Sequence, residues 1–188
     1  IAVLACCDDN TVIRDNVIID ARNYGPPDPR GFGIYVNSGS TYSNRYTIEN
    51  NIIAHQHTGT SNIVGINVNL GPDTNVLNNI VYDWGGPTAS DRGVALQIFP
   101  FANSNLVVAN NSFQQPNLGG LVYVHGSSLQ GLGFSGQQYF STSSGVYPTV
   151  LFLAANSFVH YNSGTPNWLS ASGETGSSFG PVDYPDPN

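Results

Sequence analysis

Three ionisable residues occupy the last position of three similar apolar segments. The segments are TVIRDNVIID (11–20), YTIENNIIAH (46–55) and TNVLNNIVYD (74–83), and they end in Asp20, His55 and Asp83. If the segments stack on one another, these side chains form one column with an imidazole between two carboxylates. Such a set could act as general acid and base, because carboxylates stabilise the protonated imidazole and orient its ring. Asp20, His55 and Asp83 are therefore the candidate catalytic residues.

Arg22 and His57 follow two residues after Asp20 and His55. On an extended strand they would lie on the same side, where the Arg22 guanidinium could hold the carboxylate of an acidic sugar. A simpler explanation competes with this site. Polar residues collect where strands end, because Asp and His side chains bond to the backbone of turns. Both interpretations stay open at the level of sequence.

A second group of candidates follows three glycines, in GIYVN (33–37), GINVN (65–69) and GVALQ (93–97). Alternation with period two places one set of side chains inside and the other outside. The predicted outward set is Tyr35, Asn37, Asn67, Asn69, Ala95 and Gln97. Amides and tyrosine are groups that hydrogen-bond and stack on sugars. The pattern assigns no register to the apolar segment LVYV (121–124).

Trp84 belongs to the same candidate binding set, although it is equally a candidate for closing the hydrophobic core. No metal site is specified. His55 and His57 would share a strand face, but no Cys or Glu cluster completes a zinc site. Ca²⁺ is a candidate ligand of the oxygen-bearing residues around Asp8, Asp9, Asn10 and Asp73, without a diagnostic spacing.

The apolar segments are copies of one repeat. Two further copies are LVVANNSFQQ (106–115) and LFLAANSFVH (151–160), and the last Asn of the five copies is Asn16, Asn51, Asn79, Asn111 and Asn156. The first three intervals, 35, 28 and 32 residues, bracket one coil of a large solenoid. The fourth, 45 residues, predicts a coil with an inserted loop around 126–144.

Each copy carries an apolar residue three before and two after its reference Asn. In a solenoid, equivalent positions of successive coils stack at about 4.8 Å, so these residues become internal stripes. The Asn residues should then form a ladder at a bend, where their amides pair between coils and left-handed backbone is tolerated.

These hydrophobic-Asn-Asn-hydrophobic units resemble the right-handed parallel β-helix superfamily typified by pectate lyases. The resemblance implies an all-β, right-handed parallel β-helix of about five coils over residues 1–165, with an irregular closing segment over 166–188. It also implies a secreted protein, extracellular or at the cell surface, that acts on or holds polysaccharide. The tail resembles the closing segment of bacterial secreted members, so we expect the C-terminal part of a longer helix. No catalytic position of these enzymes matches this chain.

The composition of the chain disfavours some classes of binding partner. The formal net charge is −7 and all five cations are Arg, which disfavours a phosphate-binding surface for nucleic acid. No apolar run approaches the length of about 18 residues needed to cross a bilayer, so no membrane insertion is expected. The adjacent Cys6 and Cys7 are predicted to be buried thiols on a strand. The absence of Met suggests a processed product or a fragment.

Two functions remain open. The first is a polysaccharide lyase or glycoside hydrolase, slightly favoured by the resemblance. The second is a non-catalytic glycan-binding, adhesin or filament module, favoured by the uncharged outward face, with self-association through coil ends as a further expectation.

Overall fold

A computed structural model describes residues 2–19, 31–38, 45–56, 63–70, 72–84, 93–100, 105–116, 120–126, 129–142, 152–154, 157–159 and 167–184. The elements in chain order are β1 (Val3–Cys6), β2 (Thr11–Arg14), β3 (Val17–Ile19), β4 (Phe32–Asn37), β5 (Arg45–Glu49), β6 (Ile52–Gln56), β7 (Ile63–Asn69), β8 (Asp73–Leu77), β9 (Ile80–Trp84), β10 (Gly93–Phe99), β11 (Leu106–Ala109), β12 (Ser112–Gln115), β13 (Gly120–Val124), β14 (Leu132–Ser135), β15 (Gln138–Ser141), β16 (Phe152–Ala154), β17 (Ser157–Val159), α1 (Trp168–Ser172) and β18 (Ser178–Phe179).

The strands form three sheets, and the chain visits them in turn. Sheet A has the order β1-β4-β7-β10-β13-β16-β17, sheet B the order β14-β11-β8-β5-β2, and sheet C the order β18-β15-β12-β9-β6-β3. Coil 1 is β1 to β3, and coils 2 to 5 follow in the same way through β15. All strand pairs between coils are parallel. The predicted parallel β-helix is therefore confirmed.

The core is built from inward columns of like residues. The predicted stripe before the reference Asn is the column Ile13, Ile48, Val76 and Val108, and the stripe after it is Ile18, Ile53, Val81 and Phe113. All eight side chains are buried and belong to one hydrophobic cluster. A third column, from sheet A, contains Ile34, Ile66 and Leu96.

The Asn ladder lies at the bend between sheets B and C. The Asn51 side-chain amide donates to Asn79 Oδ1 at 2.9 Å and to the carbonyl of Ile13 in the preceding coil at 3.0 Å. The Asn79 amide repeats this pattern with Asn111 Oδ1 and the Ile48 carbonyl, both at 2.9 Å. Because these side chains are buried, each amide satisfies backbone groups that the bend would otherwise leave unpaired.

The left-handed backbone falls one residue earlier than predicted. Positive φ angles near 57° occur at Asp15, Asn50, Asn78 and Asn110, while the ladder residues themselves are not among the positive-φ positions. The turning residue and the amide-bonding ladder residue are thus two adjacent positions at each bend.

The fifth ladder residue is Gln137, which the repeat pattern did not predict. Gln137 Oε1 accepts from the Asn111 backbone N at 2.8 Å, and its Nε2 donates to the Val108 carbonyl at 2.7 Å. The predicted loop around 126–144 therefore contains the regular strands β14 and β15. The segment 151–160 instead supplies β16 and β17, an antiparallel pair at the edge of sheet A. Asn156 lies outside the described residues.

The alternation of inward and outward side chains is interrupted in the middle of sheet A. A Cβ atom at Gly33 would lie 2.6 Å from Ile53 Cγ2, and one at Gly65 would lie 2.5 Å from Val81 Cγ1. Both positions therefore point into the core. Ala95 follows them in the next coil and is fully buried beside buried Leu96, so its predicted outward position is wrong.

The two cysteines are exposed, and their sulfur atoms are joined in a disulfide. Cys6 pairs in register with Asn37 on the outward side of sheet A, and Cys7 has a positive φ of 65°. The prediction of two buried thiols is therefore wrong, because β1 ends where the chain turns away from the core.

The two ends of the solenoid differ. At one end α1 covers coil 5, with fully buried Trp168 packed edge-on against Phe134 at 4.9 Å. The segment predicted to be irregular thus contains a capped helix and β18. At the other end β1, β2 and β3 are the terminal strands of their sheets and expose Leu4, Val12 and Val17 by 54 to 63%.

Candidate functional site

The predicted binding residues on sheet A lie in two adjacent outward columns. One column is Tyr35, Asn67, Gln97 and Tyr123, and the other is Asn37, Asn69 and Phe99, followed by His125. Neighbouring members belong to successive coils, so the columns run along the solenoid axis. The structure thus brings together five of the predicted binding residues, Tyr35, Asn37, Asn67, Asn69 and Gln97.

Hydrogen bonds link these residues across coils. The Asn67 amide nitrogen donates to Gln97 Oε1 at 2.9 Å, and the Asn69 amide nitrogen donates to the Tyr35 hydroxyl at 3.0 Å. Gln97 Nε2 lies 2.7 Å from His125 Nε2. Because each bond joins different coils, it holds the side chains of the face in fixed relative positions.

His125 is the centre of an aromatic cluster. Its ring stacks on Phe99 with centroids 3.7 Å apart, and it lies 3.8 Å from the Tyr123 ring at a tilt of 32°. We call these three residues the aromatic platform. All three rings are partly exposed, so they present π-surface to solvent. Sequence reasoning missed the platform, although Tyr123 and His125 are two residues apart, the spacing of side chains on one face.

Two features distinguish the polar part of this face. Burial lowers the pKa of His125 from its ordinary value, which favours a neutral imidazole at pH 7. Asn67 is 2% exposed, and its Oδ1 accepts no hydrogen bond in this structure. An unsatisfied buried acceptor lowers the stability of a fold by about 1 to 3 kcal/mol, so this unpaired atom is a destabilising feature of the face.

The candidate catalytic column can be placed only in part. Asp20, Arg22 and His57 lie outside the described residues, and of His55 the structure describes the strand but not the side chain. Asp83 is largely buried at the end of sheet C, with a positive φ of 52°. Whether the three side chains converge therefore stays a prediction.

The next coil shows what this column can do structurally. Gln115 stands four residues after its ladder residue Asn111, as Asp83 does after Asn79. Gln115 Oε1 accepts from the Trp84 backbone N at 2.8 Å, and its Nε2 donates to the Trp84 carbonyl at 3.0 Å. In coil 4 the residue of this column, Gln115, therefore satisfies backbone groups at the end of strand β9.

Trp84 is part of the core and not of a binding face. Its side chain is fully buried, and its indole nitrogen donates to the carbonyl of Gly31 at 3.3 Å. A fully buried ring cannot stack on a ligand at the surface. The assignment of Trp84 to sugar binding is therefore corrected, because the inward direction of the end of β9 places it beneath sheet A.

Sheet B carries a polar groove of about 470 Å³. Its lining comes from four coils: Asn10, Val12, Arg45, Tyr46, Thr47, Asp73, Asn75 and Asn105. Arg45 Nε lies 3.7 Å from Asp73 Oδ2, and the Arg45 side chain is 68% exposed and that of Asp73 44%. The sequence did not predict this groove, because its residues come from four different coils and share no repeated motif.

Among the described residues, no three His, Cys, Asp or Glu side chains come close enough together to hold a metal ion. Of the Ca²⁺ candidates, Asp8, Asp9 and Asn10 are exposed beyond β1, and Asp73 pairs with Arg45.

No protein-family model, curated protein or solved structure matches this chain. Within the part of the chain that the structure describes, no helix has the length and apolar character required to cross a membrane.

Proposed function

We propose that this protein is a glycan-binding β-helix whose ligand lies along the outward face of sheet A. The observation that carries the proposal is the pair of adjacent columns made of amide and aromatic side chains over coils 2 to 5. Asn67 and Gln97 are buried and bond to their neighbours in the face. The groups that a ligand can reach are the partly exposed Asn37 and Asn69 amides and partly exposed rings such as Tyr123. Amides offer both donors and acceptors to hydroxyl groups, and exposed rings offer apolar surface for the faces of sugar rings.

The absence of charged residues from these strands favours a neutral glycan. Strands β4, β7, β10 and β13 contain no Asp, Glu, Lys or Arg. A carboxylate-bearing polymer would find no cation on these strands to replace the water it loses, whereas a neutral glycan needs none. The proposed ligand is therefore a neutral polysaccharide, which the protein would meet outside the cell or at its surface.

The shape of the face supports an extended ligand. The columns run across parallel strands, so equivalent side chains recur about every 4.8 Å along the axis. A polymer lying parallel to the axis would meet the same kinds of groups repeatedly. Such repetition raises affinity by linking several weak contacts on one chain.

The test is calorimetric titration of the purified chain with a panel of neutral and acidic polysaccharides. Tyr35→Phe removes the hydroxyl that accepts from Asn69 but keeps the ring, and Asn69→Ala removes its partner. Tyr82→Phe on the outward side of sheet C is the matched control. We expect binding of a neutral polymer that weakens in the two sheet A variants and not in the control. Absence of binding, or equal effects of all three variants, would refute the proposal.

The same panel separates binding from catalysis. Unsaturated products and new reducing ends are measured in parallel with heat. Cleavage that disappears in Asp83→Asn would show that the column of Asp20, His55 and Asp83 is catalytic. Binding without any product is the result expected for a non-catalytic module.

A further inference from the structure

The groove on the outward side of sheet B is lined by side chains that a ligand can reach. They form two columns across the coils, of which the first is Asn10, Arg45, Asp73 and Asn105, and the second is Val12, Thr47 and Asn75. Each of these seven residues is exposed or partly exposed. The remaining lining residue, Tyr46, is buried, and its hydroxyl donates to the Asn37 carbonyl at 2.9 Å. The seven accessible residues are therefore the ones available to a ligand.

The size and polarity of the groove suit a small polar molecule. Its volume of about 470 Å³ lies within the range of about 300 to 1,000 Å³ that is typical of small-molecule sites. Among the described lining residues, Arg45 and Asp73 are charged, and they carry opposite charges. Three amides and one threonine hydroxyl supply the other polar groups. The groove thus combines one cation, one anion and several neutral hydrogen-bonding groups.

The two charged side chains retain hydrogen-bonding capacity in spite of their pairing. The separation of 3.7 Å between Arg45 Nε and Asp73 Oδ2 is longer than a hydrogen bond, so the contact is electrostatic. A guanidinium has five N–H donors, and a carboxylate has about four acceptor positions. Because both side chains are also accessible to solvent, a third group can bond to both of them at once.

The charges of this pair favour a ligand with adjacent hydroxyl groups. An anion would be attracted by Arg45 but repelled by Asp73, and the reverse holds for a cation. A zwitterion would have to compete with the attraction between the two side chains. A vicinal diol leaves that attraction in place, since one hydroxyl donates to the Asp73 carboxylate and the oxygen of the other accepts from the Arg45 guanidinium.

We propose that the groove of sheet B is a second carbohydrate site, in which Arg45 and Asp73 bind the vicinal diol of a neutral sugar. The Asn75 and Asn105 amides hydrogen-bond to further hydroxyls of the same sugar. Val12, which is 54% exposed, offers apolar surface to the C–H groups of the ring. The site lies on a different sheet from the proposed glycan face, and the proposal does not rest on the ligand of sheet A.

The first experiment is an NMR titration of the nitrogen-labelled chain with small diols. The ligands are methyl α-mannopyranoside and cis-1,2-cyclohexanediol, and cyclohexanol, which lacks the second hydroxyl, is the control. We expect both diols to shift the Arg45 Nε–H signal and the side-chain amide signals of Asn75 and Asn105. Cyclohexanol should leave these signals in place. Diols that shift none of the three signals, or a cyclohexanol effect of equal size, would overturn the proposal.

The second experiment measures the affinity for methyl α-mannopyranoside in variants that lose one charge. Asp73→Asn and Arg45→Gln should each weaken binding about tenfold or more, because each removes a hydrogen bond to a charged group. Glu49→Gln is the matched control, since Glu49 lies on β5 outside the groove, and should bind as wild type does. Thermal unfolding checks that all three variants fold. Unchanged affinity in both groove variants would overturn the proposal.

The third experiment tests the other ligand classes at the same groove. Sodium acetate represents a simple anion and glycine a zwitterion, and both are titrated while the Arg45 and Asn75 signals are followed. We expect each to bind more weakly than methyl α-mannopyranoside. Tighter binding of acetate or glycine would identify an anion or zwitterion site and overturn the assignment to sugars. Tyr123→Ala, on sheet A, should leave all these titrations unchanged, so their outcome is independent of the glycan face.

Discussion

The Glu174 carboxylate accepts hydrogen bonds from both the backbone and the side chain of Gln137. These are the same two donors that each ladder residue offers to the amide oxygen of the next coil. The carboxylate also accepts from the Trp168 indole at 2.6 Å and from the Tyr139 hydroxyl at 3.1 Å. Glu174 therefore occupies the position of a sixth ladder residue and closes the ladder beneath α1.

Glu174 should make stability fall as the pH rises. Burial raises its pKa above the ordinary value of 4.5, although bonds from Trp168, Tyr139 and Gln137 offset part of the effect. At pH values between the ordinary pKa and the raised pKa, the folded chain holds more protons than the unfolded chain. The free energy of unfolding therefore decreases as the pH rises through this range. Glu174→Gln should remove that decrease and be at least as stable as wild type at pH 7.5.

Urea unfolding at pH 4.5 and pH 7.5 measures this difference. Glu49→Gln, on sheet B, is the matched control and should retain the pH dependence of the wild type. A Glu174→Gln variant that keeps the full pH dependence would show that another group is responsible.

Removal of a central ladder amide should cost far more than removal of a terminal one. Asn79→Ala leaves the buried Asn51 backbone N and the Ile48 carbonyl without partners, so we expect a loss of about 2 to 4 kcal/mol. Asn16→Ala should cost less than about 1 kcal/mol, because Asn16 is partly exposed and water can replace its bonds. Urea unfolding of both variants gives the comparison, and similar losses would contradict a cooperative ladder.

Gly65 should tolerate no side chain. Its added Cβ would lie 2.5 Å from Val81 Cγ1 and 2.7 Å from the Ala95 carbonyl, so Gly65→Ala should cost about 1 to 3 kcal/mol. Gly133→Ala is the matched control on β14, where the nearest atom is 3.8 Å away. There the loss of backbone freedom in the unfolded chain should stabilise the protein by about 0.4 to 1 kcal/mol. Thermal unfolding should therefore show shifts of opposite sign.

The aromatic platform should contribute directly to glycan affinity. Tyr123→Ala removes one exposed ring from the face, and a stacking contribution of about 0.5 to 1.5 kcal/mol corresponds to a roughly twofold to tenfold weaker affinity. Tyr82→Ala removes a partly exposed tyrosine from sheet C and should leave affinity unchanged. Calorimetry with the polymer that binds wild type measures both, and an unchanged affinity in Tyr123→Ala would remove the platform from the site.

The ladder and its flanking stripes were predictable because their chemistry recurs at each coil. Asn16, Asn51, Asn79 and Asn111 all sit between two apolar residues at fixed offsets, and the structure stacks them as expected. Gln137 escaped the pattern, because a longer amide performs the same bonding without matching the repeated letters. The copy at 151–160 matched the letters, but its strands pair antiparallel at a sheet edge.

The candidate site was predictable only where side chains alternate regularly. Tyr35, Asn67 and Gln97 share a column because β4, β7 and β10 pair without a shift. Ala95 and Trp84 departed from the prediction, since the in-out alternation is interrupted in the middle of sheet A and the end of β9 is directed inward. His125 depends on a stacking partner in another coil, which local sequence does not reveal.

The unequal ends give the solenoid a direction. At one end, α1, β18 and the buried carboxylate of Glu174 hold coil 5 in place. The backbone amides of coil 5 should therefore exchange their hydrogens slowly, by cooperative opening and not by local fraying. The last rung of the sheet A face, at Tyr123, lies on this coil and is secured by the same closure.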